Sequence, residues 1–340
     1  MITIGNYTYT PSNQIGKGSF SNVFKGKNIN NNNIVAIKHI KCNNNIKYIL
    51  NEISILKELQ NTPFIINLID DYIISNDIYL IMNYYTYDLS KYIKEHIFLE
   101  ESVSQKLFSQ LIFALKELYN KNIYHRDLKP SNILIENDNI LLTDFGFAKY
   151  IDYNDFDTKE IKHSIVGSPL FMSPELYKSN FNIKSDIWSV GMILFEMLAG
   201  YNFLHSKNIK ELSYKIQHSN IPSINNISSE CNDLVLQLLD KNIDKRISWN
   251  ELFNHKWLLS ESVILNTYNS DINNINENIN ENINGNITTN NISSNSSDIS
   301  SDEYLILSNE NIDNINILEN SYSWSTIFEQ SIETIKNIFI

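Results

Sequence analysis

The chain has 340 residues, 42% of them hydrophobic, enough for one large domain or two modest ones. Its 9 glycines and 6 prolines exclude collagen-like and proline-rich fibrous classes, and the distant pair Cys42 and Cys231 suggests a reducing compartment without a disulfide framework. Net charge is −12, with 12 acids and only Lys336 as a base in 260–340, so the nearly neutral remainder offers no basic surface for nucleic acid.

The start, MITIGNYTYT, lacks a basic or apolar stretch and does not read as a secretory signal. Residues 7–82 alternate β-like apolar runs (Val35–Ile40, Ile78–Met82) around one helical stretch, Lys47–Leu59, with Ile49, Ile53 and Leu56 at helical spacing. Residues 100–120 and 186–200 read as long helices, and 205–258 as several shorter ones. The longest apolar segment, Ile187–Phe195, stops at Glu196 and is too short for a bilayer, so no transmembrane segment is expected and cytoplasm is the default compartment. The expected class is α+β: a small strand-rich lobe before a larger helical one, not a βαβ repeat.

Beyond residue 260 the composition changes. Asparagine supplies 11 of the 27 residues in 271–297, so 260–320 reads as an acidic, Asn-rich low-complexity linker. Residues 321–340 read as an amphipathic helix, with Trp324, Ile327, Phe328, Ile332, Ile335 and Phe339 near one face, a docking element for this chain's own surface or a partner.

Several segments carry chemistry. Ile15-Gly16-Lys17-Gly18-Ser19-Phe20-Ser21-Asn22-Val23 lies between two expected strands, and its glycines let backbone N–H groups approach a phosphate; a plain hairpin with two turn glycines is the alternative. Lys38, in Val35-Ala36-Ile37-Lys38, stands in an apolar strand and needs a partner or an anion unless it reaches solvent at an edge. Glu52 on the following helix is a candidate partner, or an ordinary exposed acid. His125-Arg126-Asp127-Leu128-Lys129-Pro130-Ser131-Asn132 crowds an acid, two bases and an amide between a helix and a strand, the composition of a functional loop. Asp144-Phe145-Gly146 follows an apolar strand directly.

The order of these motifs, followed by Ser173-Pro174-Glu175 and Asp186-Ile187-Trp188-Ser189, resembles that of the eukaryotic-type protein kinases over residues 7–258. The resemblance implies a bilobal kinase domain, with an N-lobe near 7–82 and a C-lobe near 86–258. It implies ATP and Mg²⁺ as cofactors and protein hydroxyls as acceptors. Lys38 is then the ligand of the α- and β-phosphates, fixed by Glu52; Asn132 and Asp144 hold Mg²⁺; Asp127 is the catalytic base; and Lys129 neutralises charge on the transferred group. Adenine is expected between Val23 and Ala36 on one side and Leu134 on the other, its edge read after Met82 by Asn83 and Tyr85 backbone groups.

Lys129 and Gly167-Ser168-Pro169 resemble the serine/threonine kinases rather than the tyrosine kinases. Arg126, Ser168, Ser164 and Thr158 are the regulatory candidates, with Arg126 placed to pair with a loop phosphate at Ser164 or, as second choice, Thr158. Glu175 with Arg246, and Asp186, are expected to be structural. Ser21 and Ser173 depart from the family pattern without removing a reacting group; an inactive scaffold acting through its tail is the alternative.

Asp144-Phe145-Gly146-Phe147-Ala148-Lys149-Tyr150 resembles the autophagy-initiating, Unc-51-like kinases. In the tail, Ser301-Asp302-Glu303-Tyr304-Leu305-Ile306-Leu307 is similar to motifs that dock ubiquitin-like autophagy modifiers, implying such a partner through Tyr304 and Leu307; a chance apolar patch is the alternative.

Overall fold

A computed structural model describes residues 1–259 apart from 19–20, 42–45, 76, 138, 152–166, 179–181, 205 and 207; the side chains of 46, 47 and 178 are also undescribed. The readings of Ser19, Phe20, Thr158, Ser164, Tyr304, Leu307 and the segments 260–320 and 321–340 therefore lie outside the described residues.

The N-terminal part is an antiparallel sheet of β1 (Ile2–Ile4), β2 (Tyr7–Lys17), β3 (Ser21–Asn28), β4 (Ile34–Lys41), β5 (Leu68–Ile74) and β6 (Asp77–Asn83), ordered β1-β2-β3-β4-β6-β5. Between β4 and β5 runs α1 (Ile46–Glu58). The sheet begins earlier than the alternation from residue 7 indicated, because Ile2–Ile4 pairs with Tyr7–Tyr9 across a Gly5-Asn6 turn too short to show a pattern of its own.

The strands β4 and β6 read as continuous apolar runs because both faces are buried. On β4, Val35 and Ile37 join Tyr79 and Ile81 of β6 in a small cluster with Tyr7, Tyr9 and Phe24. Ile40, Ile78, Leu80 and Met82 on the opposite face join α1 and the main core. Strand alternation thus places Lys38, two residues before Ile40, on the α1 face. On α1, Ile49, Ile53 and Leu56 are buried, and Glu52 shares their face at helical spacing.

The helical part follows a short strand. It contains β7 (Tyr87–Asp88), α2 (Leu89–His96), α3 (Glu101–Asn120), β8 (Ile123–Tyr124), β9 (Ile133–Glu136), β10 (Asn139–Leu142), β11 (Lys149–Tyr150), α4 (Ser185–Ala199), α5 (Ile209–His218), α6 (Ser229–Leu238), α7 (Trp249–Phe253) and α8 (Lys256–Leu259). The expected bilobal α+β kinase architecture is what the chain adopts.

The apolar run that is too short for a bilayer is the central helix α4, with Ile187, Val190, Ile193, Leu194 and Phe195 all fully buried. No helix among the described residues is long and apolar enough to cross a membrane. Gly200 ends α4 in the left-handed conformation (φ 79°), where an added Cβ would lie 1.8 Å from the Ile97 carbonyl oxygen.

Three pairings position the loops that matter. The β9–β10 hairpin separates the segment 125–132 from Asp144. Pairing of β8 with β11 brings the chain on either side of these segments together. Ile66 donates its N–H to Leu142 O at 3.0 Å, and Leu142 donates to Phe64 O at 2.8 Å, tying the segment after α1 to β10.

Candidate active site

Lys38, 8% exposed, cannot remain charged there without partners. It has two: its Nζ lies 2.6 Å from Glu52 Oε1 and 2.9 Å from Asp144 Oδ1. Burial pulls the lysine pKa down, but the two carboxylates outweigh it and hold the ammonium above its ordinary range. The same ammonium draws Asp144 down to about 2 against the effect of burial, so this carboxylate stays ionised at neutral pH. Burial pushes Glu52 up, with Lys38 opposing. Asp144 sits at φ 65°, a backbone conformation costly for a residue with a side chain and frequent at functional sites.

The segment between β8 and β9 is shaped by Asp186 at the start of α4. Its carboxylate accepts the backbone N–H of His125 at 2.9 Å and of Arg126 at 3.1 Å. Arg126 is thereby held at φ 67°, and Asp127 follows with only 4% exposure.

Every described partner of the Asp127 carboxylate is a donor. Lys129 Nζ lies 2.8 Å from Oδ2, Asn132 Nδ2 donates to the same oxygen at 3.1 Å, and Ser168 Oγ donates to Oδ1 at 2.9 Å. Lys129 also donates to Ser168 Oγ at 2.8 Å. Gly167, beside it, has φ 110°, and a Cβ there would lie 2.7 Å from Arg126 O, so only glycine brings Ser168 this close.

Asn132 spends both Nδ2 bonds on Asp127, to the backbone oxygen at 2.8 Å and to Oδ2, which leaves its Oδ1 without a partner among the described residues. Its backbone oxygen accepts from Thr143 N at 3.0 Å, next to Asp144. Lys129 also lowers the Asp144 pKa, after Lys38 and against burial. His125 braces the two segments, its ring packed on Phe145 with centroids 5.0 Å apart and Nε2 3.0 Å from Thr143 O.

The residues expected around adenine line up across the sheet. Val23 pairs in register with both Gly16 and Lys38, Ala36 pairs with Met82, and Leu134 is half-buried on β9. Among the described residues, a Cβ at Gly16 would meet only Val23 atoms, at 3.5 and 3.6 Å, so none of them demands glycine there. Ile15 and Lys17 on β2 and Gly18 just beyond it are exposed, and Ser21 and Asn22 on β3 are half-buried. Asn83 closes β6 opposite Val35, and Tyr85 is half-buried just beyond.

Glu175 and Arg246 form a two-pronged pair at 2.7 and 3.0 Å, with Arg246 1% exposed and also bonded to the Lys184 and Asp240 carbonyls. Arg126 is half-buried, and burial lowers its pKa.

Ser168, expected among the regulatory residues, bonds directly to Asp127 and Lys129. Its partners stand 41 and 39 positions away, a proximity that spacing cannot reveal. Asn51 is a residue the motifs did not single out: its Nδ2 donates to Ala148 O at 2.9 Å, anchoring α1 beside Glu52.

These buried charges and their order along the chain match the protein kinase domain over residues 9–258, and the chain belongs to that family. Curated relatives include serine/threonine-protein kinase atg1 of Dictyostelium discoideum, 39% identical over 280 residues, covering 76% of this chain and 40% of that protein. Serine/threonine-protein kinase ULK3 of Xenopus laevis is 39% identical over 255 residues, covering 71% of this chain and 53% of its own. ATG1b of Arabidopsis thaliana is 34% identical over 264 residues, covering 74% and 36%. The chain therefore spans about half the length of these relatives or less, and the resemblance to the Unc-51-like group is borne out by them.

Proposed function

We propose that this chain is a serine/threonine protein kinase that transfers the γ-phosphoryl group of ATP to protein hydroxyls. The observation that carries the reading is the single site in which Lys38, Glu52 and Asp144 are joined by ion pairs beside the donor-ringed Asp127. Lys38, paired and charged, is suited to holding phosphate oxygens, and Gly16 leaves room for backbone to approach them.

The donor set fits Mg²⁺: the ionised Asp144 carboxylate and Asn132 Oδ1 are hard oxygen ligands, which this ion takes together with substrate phosphates. When bound, the metal supplies charge neutralisation for the phosphates. Asp127 accepts the proton of the acceptor hydroxyl and aims its oxygen, while Lys129 offsets charge on the transferred group. Ser168 fixes the Asp127 carboxylate, so the chemistry is mainly positioning.

Phosphorylation of Ser164 or Thr158, paired with Arg126, is the proposed activating event, and the half-buried position of Arg126 next to Asp127 supports it. The cytoplasm is the proposed compartment, and the Tyr304–Leu307 segment the proposed dock for a ubiquitin-like modifier. The test is transfer of radiolabel from ATP to a generic protein followed by acid hydrolysis: label in phosphoserine and phosphothreonine is expected. Label in phosphotyrosine alone, or none under activating conditions, rejects the assignment and favours an inactive scaffold.

A further inference from the structure

Outside the nucleotide site, a cavity of about 500 Å³ opens between the segment after β6, α2 and the end of β9. This volume lies in the range of ligand-binding pockets. Four tyrosines line it, Tyr84, Tyr85, Tyr87 and Tyr92, together with Glu95 and Glu136, and no lysine or arginine is among its described lining residues. It shares Tyr85 alone with the residues assigned to nucleotide, and none of Lys38, Asp127 or Asp144.

The wall chemistry is specific in sign. Tyrosine faces attract ammonium and guanidinium groups. Tyr84 already does so, with Lys25 Nζ 4.7 Å from its ring centroid. Tyr92 packs against His96 with ring centroids 4.3 Å apart, and the Tyr87 hydroxyl donates to the Glu95 carboxylate. Glu136 is exposed and forms no ion pair among the described residues. An anionic ligand would meet two carboxylates, with Lys25 already seated on Tyr84, whereas a cationic side chain would meet the remaining ring faces and the Glu136 carboxylate together.

We infer that this cavity is a docking site for a basic segment of a partner protein, seating lysine or arginine side chains against the tyrosines with Glu136 as counter-charge. The site is separate from phosphoryl transfer, so its test is binding. Fluorescence anisotropy of the labelled peptide Arg-Leu-Arg-Leu-Arg with the full chain, at roughly 150 mM salt, is expected to give saturable binding. Glu136→Lys should weaken it about tenfold or more, Tyr92→Ala should weaken it severalfold, and Glu-Leu-Glu-Leu-Glu should not bind.

The acidic stretch 260–340 is the competing site for such a peptide. Undiminished affinity in Glu136→Lys, equal affinity for the acidic peptide, or no binding by about 1 mM overturns the inference. If circular dichroism shows Glu136→Lys misfolded, Glu136→Gln decides: weakened binding supports the site and unchanged binding overturns it.

Discussion

At Asp127 each donor constrains one oxygen: Ser168 holds Oδ1, while Lys129 and Asn132 hold Oδ2. A carboxylate acting as a base must present one lone pair in a fixed direction, and the hydroxyl of Ser168 sets that direction on the side of Oδ1. Ser168→Ala removes this constraint without touching the ion pairs at Lys38. Steady-state kinetics should show kcat reduced about tenfold with the KM for ATP unchanged, and Ser168→Thr should retain most activity. An equal loss in Ser168→Thr would mean that the site needs the smaller side chain rather than its hydroxyl. Most of this site was legible in the sequence because its residues lie in ordered motifs, as with Lys38 in an apolar strand and Asp144 after another. The contact of Ser168 with Asp127 was not legible, because only the fold brings Gly167 against Arg126 O, 2.7 Å from where a Cβ would stand.

Helix α1 delivers Glu52, and what fixes α1 is contact with chain far away. Asn51 bonds Ala148 O, and Tyr150 OH donates to Glu58 Oε2 at 2.6 Å while Lys121 Nζ lies 3.6 Å from Glu58. Two anchors at or beside β11 thus clamp both halves of the helix to the segment following Asp144, and Lys121 after α3 adds a third. A side chain-to-backbone hydrogen bond of this kind contributes about 1 kcal/mol, so Asn51→Ala should lower kcat/KM for ATP about fivefold. Amide exchange in α1 should quicken in parallel; unchanged exchange with unchanged kinetics would show that packing of Ile49, Ile53 and Leu56 alone positions Glu52.

The helix itself was legible: apolar spacing indicates 47–59 and the structure has Ile46–Glu58. Its clamp was not, since an asparagine before a glutamate carries no periodic signal. The strand Ile2–Ile4 escaped for a different reason, because three residues are too few to establish alternation.

Across the whole molecule, α4 is the hub, and besides the buried Asp186 it carries a second, half-buried acid, Glu196. Burial pushes Glu196 up to about 7, well above the value of about 4.3 expected in an unfolded chain. Between these two values the folded state holds a proton that the unfolded state has released. Stability therefore falls as pH rises through that window and levels off above it. Thermal melts should show Glu196→Gln gaining on the parent chain between roughly pH 4.5 and 7, with a constant difference above that. Parallel curves throughout would mean that Glu196 is solvated in the native state. The distant pair Glu175–Arg246 was foreseen from the family resemblance and is present at 2.7 Å, closing the helical part around Trp188, whose ring lies 5.3 Å from the Arg246 guanidinium. Removing either partner of so buried a pair costs about 3–5 kcal/mol.

The claim on which all three scales depend is that Lys38, Glu52 and Asp144 bind nucleotide while Asp127 performs transfer. Parallel titration of Mg-ATP binding and single-turnover transfer to a generic protein, for the parent chain and Asp127→Asn, separates these two roles. ATP affinity should stay within a fewfold of the parent while transfer falls by about 10²–10⁴. Equal transfer by the two proteins would contradict the account.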